Sequence, residues 1–140
     1  MNKSLLFYID DDSDDLSTFL YVAKSMGIQV RLFSTGTHLL THIRESDEKP
    51  SAILVDLNMP LITGFEVIEE ISKNQSLITV PIVAFSTAGD RTSITKAKEA
   101  GATCYIKKPR TVSGFRQNLK LITELDWSQH DPENSFLMGK

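Results

Sequence analysis

Short apolar runs at 4–9, 29–33, 52–55, 81–85 and 103–106 alternate along the chain with segments of helical spacing. Leu16, Phe19, Leu20, Ala23 and Met26 recur at i, i+3, i+4, which marks a helix with one buried stripe, closed by Gly27. Leu39, Leu40 and Ile43 share a face within 37–45, ahead of the polar stretch from Ser46 to Pro50. Phe65, Ile68 and Ile71 place a third helix after Gly64, with Val67 widening its apolar face. Ile94, Ala97, Lys98 and Ala100 make a weaker fourth, stopped by Gly101, and Phe115, Leu119, Ile122 and Leu125 make a fifth. Strand–helix alternation repeated five times predicts an α/β architecture, a parallel sheet with helices on both faces. Burial of such strands on both sides explains why the runs are continuous instead of alternating. Right-handed crossovers prune the topologies without fixing the strand order.

Beyond residue 125 the periodicity is lost. Residues 126–140 contain Pro132, Asn134 and Gly139 and read as a tail without an output domain, anchored by Trp127 over the end of the fifth helix. The expected division is therefore 1–125 for the folded domain and 126–140 for the tail. A length of 140 residues fits one domain with a single sizeable core. The composition, 41% hydrophobic and 24% charged, belongs to a soluble globular protein.

A net charge of −3 offers no basic face for nucleic acid. No apolar stretch approaches the roughly 20 residues that span a bilayer, and the first apolar run is cut off by aspartates too early for a signal peptide. The expectation is a cytoplasmic protein with no nucleic-acid and no membrane partner. The single cysteine, Cys104, lies inside an apolar run and reads as a small buried hydrophobe.

What stands out is where the charges fall. Leu5-Leu6-Phe7-Tyr8-Ile9 runs into Asp10-Asp11-Asp12, Ala52-Ile53-Leu54-Val55 runs into Asp56, and Cys104-Tyr105-Ile106 runs into Lys107-Lys108-Pro109. Open parallel sheets bind ligands beyond the carboxyl ends of their strands, so these charges point to one site. Asp10, Asp11 and Asp56 would converge if the first and third strands are neighbours, and they stay ionised together only beside a cation or strong donors. Oxygen ligands without histidine or cysteine suit magnesium, which keeps several waters and takes a phosphate oxygen. Lys108 adds a point cation, and Ser86, at the end of the fourth run, adds a hydroxyl at the same edge. Carboxylates, metal, ammonium and hydroxyl together suit a phosphoryl group held against an aspartate.

On these residues the chain resembles the response-regulator receiver domain, the CheY-like module of two-component signalling. The matches are Tyr8-Ile9-Asp10-Asp11-Asp12 with Asp14-Asp15, Leu54-Val55-Asp56-Leu57-Asn58-Met59-Pro60 with Gly64, Pro81-Ile82-Val83-Ala84-Phe85-Ser86, and Gly101-Ala102 with Tyr105-Ile106-Lys107-Lys108-Pro109. Four blocks in order and in register cover about residues 4 to 125. The resemblance implies a flavodoxin-like five-stranded parallel sheet of order 2-1-3-4-5. It implies Asp56 as phosphoacceptor, receiving the phosphoryl group of a sensor histidine kinase or phosphotransfer protein. Asp10, Asp11, Asp56 and the backbone carbonyl of Asn58 would hold Mg2+; Ser86 and Lys108 would contact the phosphoryl group. Lys108–Pro109 would be a cis peptide that aims the lysine. Ser86 and Tyr105 would move together as a switch, reshaping a surface within 91–125 that includes Arg91, Lys96 and Lys98 for a downstream protein target.

Three positions depart from the family's common pattern: serine replaces threonine at 86, Thr87 stands where alanine or glycine is usual, and Lys107 precedes the site lysine. Pro109 selects Lys108 over Lys107. Asp12, Asp14 and Asp15 read as acids favouring the amino end of the first helix, and His38 and His42, i and i+4 with no third ligand, as an exposed helix face. The reading is a stand-alone signalling protein and not an enzyme, its chemistry limited to its own phosphorylation and dephosphorylation. The enzymatic alternative is a small aspartyl phosphatase using Asp10 and Asp12 as a DxD pair; the chain is short for that class. A flavin carrier of the same fold is disfavoured because five aspartates after the first strand would repel a flavin phosphate.

Overall fold

Each of the five apolar runs forms a strand, and three of them extend one residue further than their apolar part, onto a polar side chain. The computed structural model describes residues 4–59, 62–133 and 135–138; Pro60 of the Leu54–Pro60 block lies outside the described residues, as do Asn134 and Gly139 of the tail. The strands are β1 (Leu5–Ile9), β2 (Gln29–Phe33), β3 (Ala52–Asp56), β4 (Ile82–Ser86) and β5 (Cys104–Lys107). Between and after them lie α1 (Ser13–Ser25), α2 (Gly36–Glu45), α3 (Gly64–Ser72), α4 (Arg91–Ala100) and α5 (Val112–Glu124). All strand pairs are parallel, and β1 lies between β2 and β3, so the order over the first five strands is 2-1-3-4-5.

Alternate residues of each strand supply two separate cores. Phe7, Ile9, Ile53, Val55, Ile82 and Ala84 face Leu39 of α2, Val67, Ile68 and Ile71 of α3, and Ala97 of α4. Leu6, Tyr8, Leu54, Val83, Phe85 and Ile106 face Phe19, Val22 and Ala23 of α1, and Phe115, Leu119 and Ile122 of α5. Cys104 is buried in the second core, and burial pushes its thiol up to about 12, so it is a packed hydrophobe there.

The tail departs from expectation. A 3-10 turn at Trp127–Gln129 leads to a sixth strand, β6 (Leu137–Met138), parallel to β5 at the sheet edge. Two residues carry no readable period, so this strand leaves no signature in the sequence. What seats it is Phe136, buried in the first core. Trp127 does cover the end of α5, its indole N–H donating to the Ile122 carbonyl at 3.1 Å.

Two glycines answer to close packing. A Cβ on Gly64 would stand 2.1 Å from the Asp56 carbonyl oxygen, so α3 begins against the end of β3 only because this residue has none. Gly101 closes α4 at φ +116°, with the Ser72 side chain of α3 packed over it.

Candidate phosphoryl-transfer site

Ladder hydrogen bonds continue past the strands and set where each polar side chain hangs. The Asp10 N–H donates to the Phe33 carbonyl at 3.0 Å, carrying the β1–β2 ladder one residue beyond β1. Asp56 ends β3 opposite Phe85, and Ser86 ends β4 opposite Lys107. The Lys108 N–H then donates to the Ser86 carbonyl at 2.7 Å. With side chains alternating along an extended chain, that bond leaves Lys107 exposed and turns Lys108 inward, where it is 8% exposed.

Asp10, Asp56, Ser86 and Lys108 are all buried at this one edge of the sheet. The Lys108 ammonium donates to Asp10 Oδ2 at 2.6 Å and Asp15 Oδ2 at 3.0 Å, and lies 3.6 Å from Asp56 Oδ1. Asp10 is further held by the Tyr8 hydroxyl, which donates to Oδ2, and by the Asp12 N–H, which donates to Oδ1 at 3.0 Å. Burial pushes the Asp56 carboxyl up to about 7, the Asp10 charge adds to that, and Lys108 and the Asn58 N–H pull the other way. Burial also lowers the Lys108 ammonium, but its bonds to Asp10 and Asp15 outweigh this and the net direction is up.

Ser86 and Tyr105 are linked through the β4–α4 loop. Ser86 Oγ accepts from the Ala88 N–H at 3.1 Å, and the Tyr105 hydroxyl donates to the Ala88 carbonyl. Thr87, between them, is exposed. Arg91, which opens α4, is exposed, and Lys96 lies over the Phe65 ring of α3.

Two members of the cluster escape sequence reasoning. Asp15 belongs to the first turn of α1, where it reads as a helix-end acid; its reach to Lys108 depends on how α1 sits over the end of β5, which no local pattern records. Tyr8 reads as a strand residue, yet it stands two residues before Asp10 on the same face of β1, and that spacing was the available signal. Asp12 takes the expected part as the cap of α1, accepting from the N–H groups of Asp14 and Asp15. The expected cis bond is not found: Lys108–Pro109 is trans, as are all described peptide bonds. Trans is favoured before proline by about 0.5–1 kcal/mol, and the ladder bond to Ser86 already aims the lysine. His42 also differs from expectation, being half-buried against Phe7 and Phe33 and bonded to Glu48 at 2.9 Å.

Carboxylate oxygens of Asp10, Asp11 and Asp56 lie within 4.8 Å of one another, the one such cluster among the described residues. Asp11 is exposed and leaves the cluster open to water. An all-oxygen set with an open side fits a hard divalent cation that keeps part of its hydration shell.

A family model for the response regulator receiver domain matches residues 6–120. The chain is 30% identical over 125 residues to the sensor histidine kinase CheAY of Helicobacter pylori, covering 89% of this chain but only 16% of that much longer protein. It is 27% identical over 123 residues to the polar-differentiation response regulator DivK of Brucella ovis, covering 86% of this chain and 95% of DivK. The phosphorylated cyanobacterial phytochrome response regulator RcpA superposes with a TM-score of 0.79 at 25% identity, over 93% of this chain and 97% of RcpA.

Proposed function

Because the chain belongs to the response regulator receiver domain family, and so is a phosphorylation-switched protein of two-component signalling, we propose that Asp56 is the residue that accepts the phosphoryl group. The observation that carries this assignment is the unequal use of the two buried carboxylates. Asp10 takes donors on both oxygens, from Lys108, Tyr8 and the Asp12 N–H, so it is tied down as support. Asp56 faces the same opening with its nearest cation at 3.6 Å. An Asp56 oxygen attacks the phosphorus of a phosphohistidine; the P–N bond breaks, the imidazole leaves with its electron pair, and an acyl phosphate remains.

Receiver domains bind a divalent metal at their acidic pocket, and in this chain the proposed holders are Asp10, Asp11, Asp56 and the Asn58 backbone carbonyl. When bound, Mg2+ would neutralise charge on the phosphoryl oxygens. Lys108 supplies the second positive charge by shifting from Asp10 toward the phosphoryl group, and Ser86 donates its hydroxyl to a phosphoryl oxygen. That bond turns the Ser86 hydroxyl toward the site and so disturbs the contact with Ala88, which Tyr105 shares. The signal then reaches the surface around α4 and β5.

The phosphodonor is a sensor histidine kinase or a phosphotransfer protein, in the cytoplasm, and the output is contact with a protein target. Residues 1–125 are the proposed receiver unit, and 126–140 are its tail. No helix among the described residues is long and apolar enough to cross a membrane. The protein's chemistry is limited to its own phosphorylation and dephosphorylation.

Incubation with Mg2+ and acetyl phosphate, followed by mass spectrometry, tests the assignment. A labile adduct of about 80 Da, the mass of one added phosphoryl group, should form on the protein, persist in Asp10→Asn and vanish in Asp56→Asn. Labelling of Asp10, or sustained turnover of phosphate esters, would overturn it in favour of an aspartyl phosphatase.

A further inference from the structure

The outer edge of β5 is covered by the chain's own tail. The Tyr105 N–H donates to the Phe136 carbonyl at 2.7 Å, and Leu137 and Met138 continue as a parallel strand opposite Tyr105 and Ile106. Phe136 is 6% exposed and packs 6.5 Å from the Tyr105 ring. Lys98 of α4 donates to Glu133 at 3.3 Å and lies over the Phe136 ring at 5.8 Å. His130 meets the Thr103 carbonyl at 3.2 Å. These contacts define a groove between α4 and the β5 edge. It accepts an extended segment with a carboxylate three positions before an aromatic ring, read by backbone pairing and by Lys98.

The seat is shallow. The strand is two residues long, Leu137 is 55% exposed, and the Lys98–Glu133 pair is solvated, so screening leaves it weak. It is also wired to the site. Tyr105 takes the tail on its backbone and the Ala88 carbonyl on its hydroxyl, and Ala88 in turn donates to Ser86.

We propose that the tail holds in cis a groove built for an output protein, which binds by adding a parallel strand to β5 through an extended segment with an acidic residue three positions before an aromatic one. The tail is the intramolecular stand-in for that segment, and the partner must displace it. This rests on the switched-receiver reading for its regulation, but not for the groove itself.

The test uses the full chain and a fluorescent synthetic peptide with the sequence of residues 128–138, followed by anisotropy. In Phe136→Ala the cis tail loses its anchor, and the peptide should bind at least tenfold more tightly than to the parent chain. A peptide carrying the same Phe136→Ala change should not bind. Lys98→Glu added to Phe136→Ala should weaken binding, and a Glu133→Lys peptide should restore it, a compensation that loss of folding could not imitate. Equal affinity for the parent and Phe136→Ala chains, no binding to either, or absence of the charge-swap rescue would overturn the proposal. None of these arms requires phosphorylation. Failure of the phosphoacceptor reading would appear only in the adduct experiment, or as an acetyl phosphate treatment that leaves peptide affinity unchanged in a chain that otherwise binds as described.

Discussion

Lys108 Nζ lies 2.6 Å from Asp10 Oδ2 and 3.6 Å from Asp56 Oδ1, so the lysine is held more tightly by the supporting carboxylate than by the proposed phosphoacceptor. This makes Lys108 the cation that keeps a buried acidic cluster together. Lys108→Met should therefore leave buried carboxylates without their partner. Breaking a buried pair by removing one member costs about 3–5 kcal/mol. Urea denaturation in chelator at pH 7.5 should show a loss near the lower figure, because Asp56 can take up a proton instead. Lys108→Met combined with Asp10→Asn should recover part of the stability.

The same cluster predicts an unusual pH dependence in metal-free buffer. Asp56 is pushed up to about 7 by burial and by Asp10, from an ordinary value of 3.8. Between these values the folded chain binds the proton that the unfolded chain has released. Stability contributed at this residue is therefore fully present below pH 4, falls as the pH rises, and is gone above pH 7. Each pH unit within that window removes about 1.4 kcal/mol, so the effect amounts to a few kcal/mol. Asp56→Asn should flatten the profile between pH 5 and 7.5 and be the more stable protein at the upper end. A denaturation series that gave the parent and Asp56→Asn parallel profiles would refute this.

How much of this was visible in the residue pattern depends on whether a feature is local. β3 and β4 were legible because Ile53-Leu54-Val55 and Val83-Ala84-Phe85 are buried on both faces and leave no polar break. Asp10, Asp56, Ser86 and Lys108 were legible because a parallel sheet brings all strand ends to one edge. Asp15 was not, since its contact is made across the gap between α1 and the end of β5. Tyr8 was hidden by its suitability for a strand, and β6 by its two-residue length. The cis Lys108–Pro109 bond was expected from the family resemblance, and no local pattern in the residues reports which isomer precedes a proline.

Tyr8 offers a direct measure of that hidden support. Its hydroxyl donates to the same Asp10 oxygen that Lys108 uses, and burial together with the neighbouring carboxylates holds the phenol well above its ordinary range, so it remains a donor. In the proposed phosphorylated state, with Lys108 drawn toward the phosphoryl group, Tyr8 would keep Asp10 Oδ2 satisfied. Tyr8→Phe retains the ring packed on Phe19 and Phe85 and removes only that donor. A hydrogen bond to a charged group contributes about 1.5–3 kcal/mol, so stability should drop by about that much. Labelling of Asp56 by acetyl phosphate should also slow, because Asp10 Oδ2 then depends on Lys108 alone, the Asp12 N–H serving only Oδ1.

Asp11 predicts the metal response. It is the exposed member of the three-carboxylate cluster and makes no contact with Lys108 among the described residues. Added Mg2+ should stabilise the parent chain by mass action, about 2.7 kcal/mol at a hundredfold excess over the dissociation constant. Asp11→Asn should fold as stably as the parent in chelator but lose most of the Mg2+-dependent gain in melting temperature. An undiminished gain would remove Asp11 from the metal site.

Gly64 and Gly27 separate steric support of the proposed phosphoacceptor from backbone strain. A Cβ at Gly64 would meet the Asp56 carbonyl oxygen at 2.1 Å and Leu57 Cα at 2.6 Å, and these are main-chain atoms that no rotamer change can move aside. Gly27 lies at φ +73° with nothing within 4 Å of its Cβ position, so alanine there costs only the left-handed conformation, about 1–2 kcal/mol. Gly64→Ala should cost about 3 kcal/mol, the upper range for overpacking a filled site. It should also displace the end of β3, so that Asp56 labelling slows even at temperatures where the variant is fully folded. Gly27→Ala should leave labelling untouched despite its own loss of stability. If the two variants slowed phosphorylation equally, the close approach of α3 to Asp56 would not be what positions the reacting carboxylate.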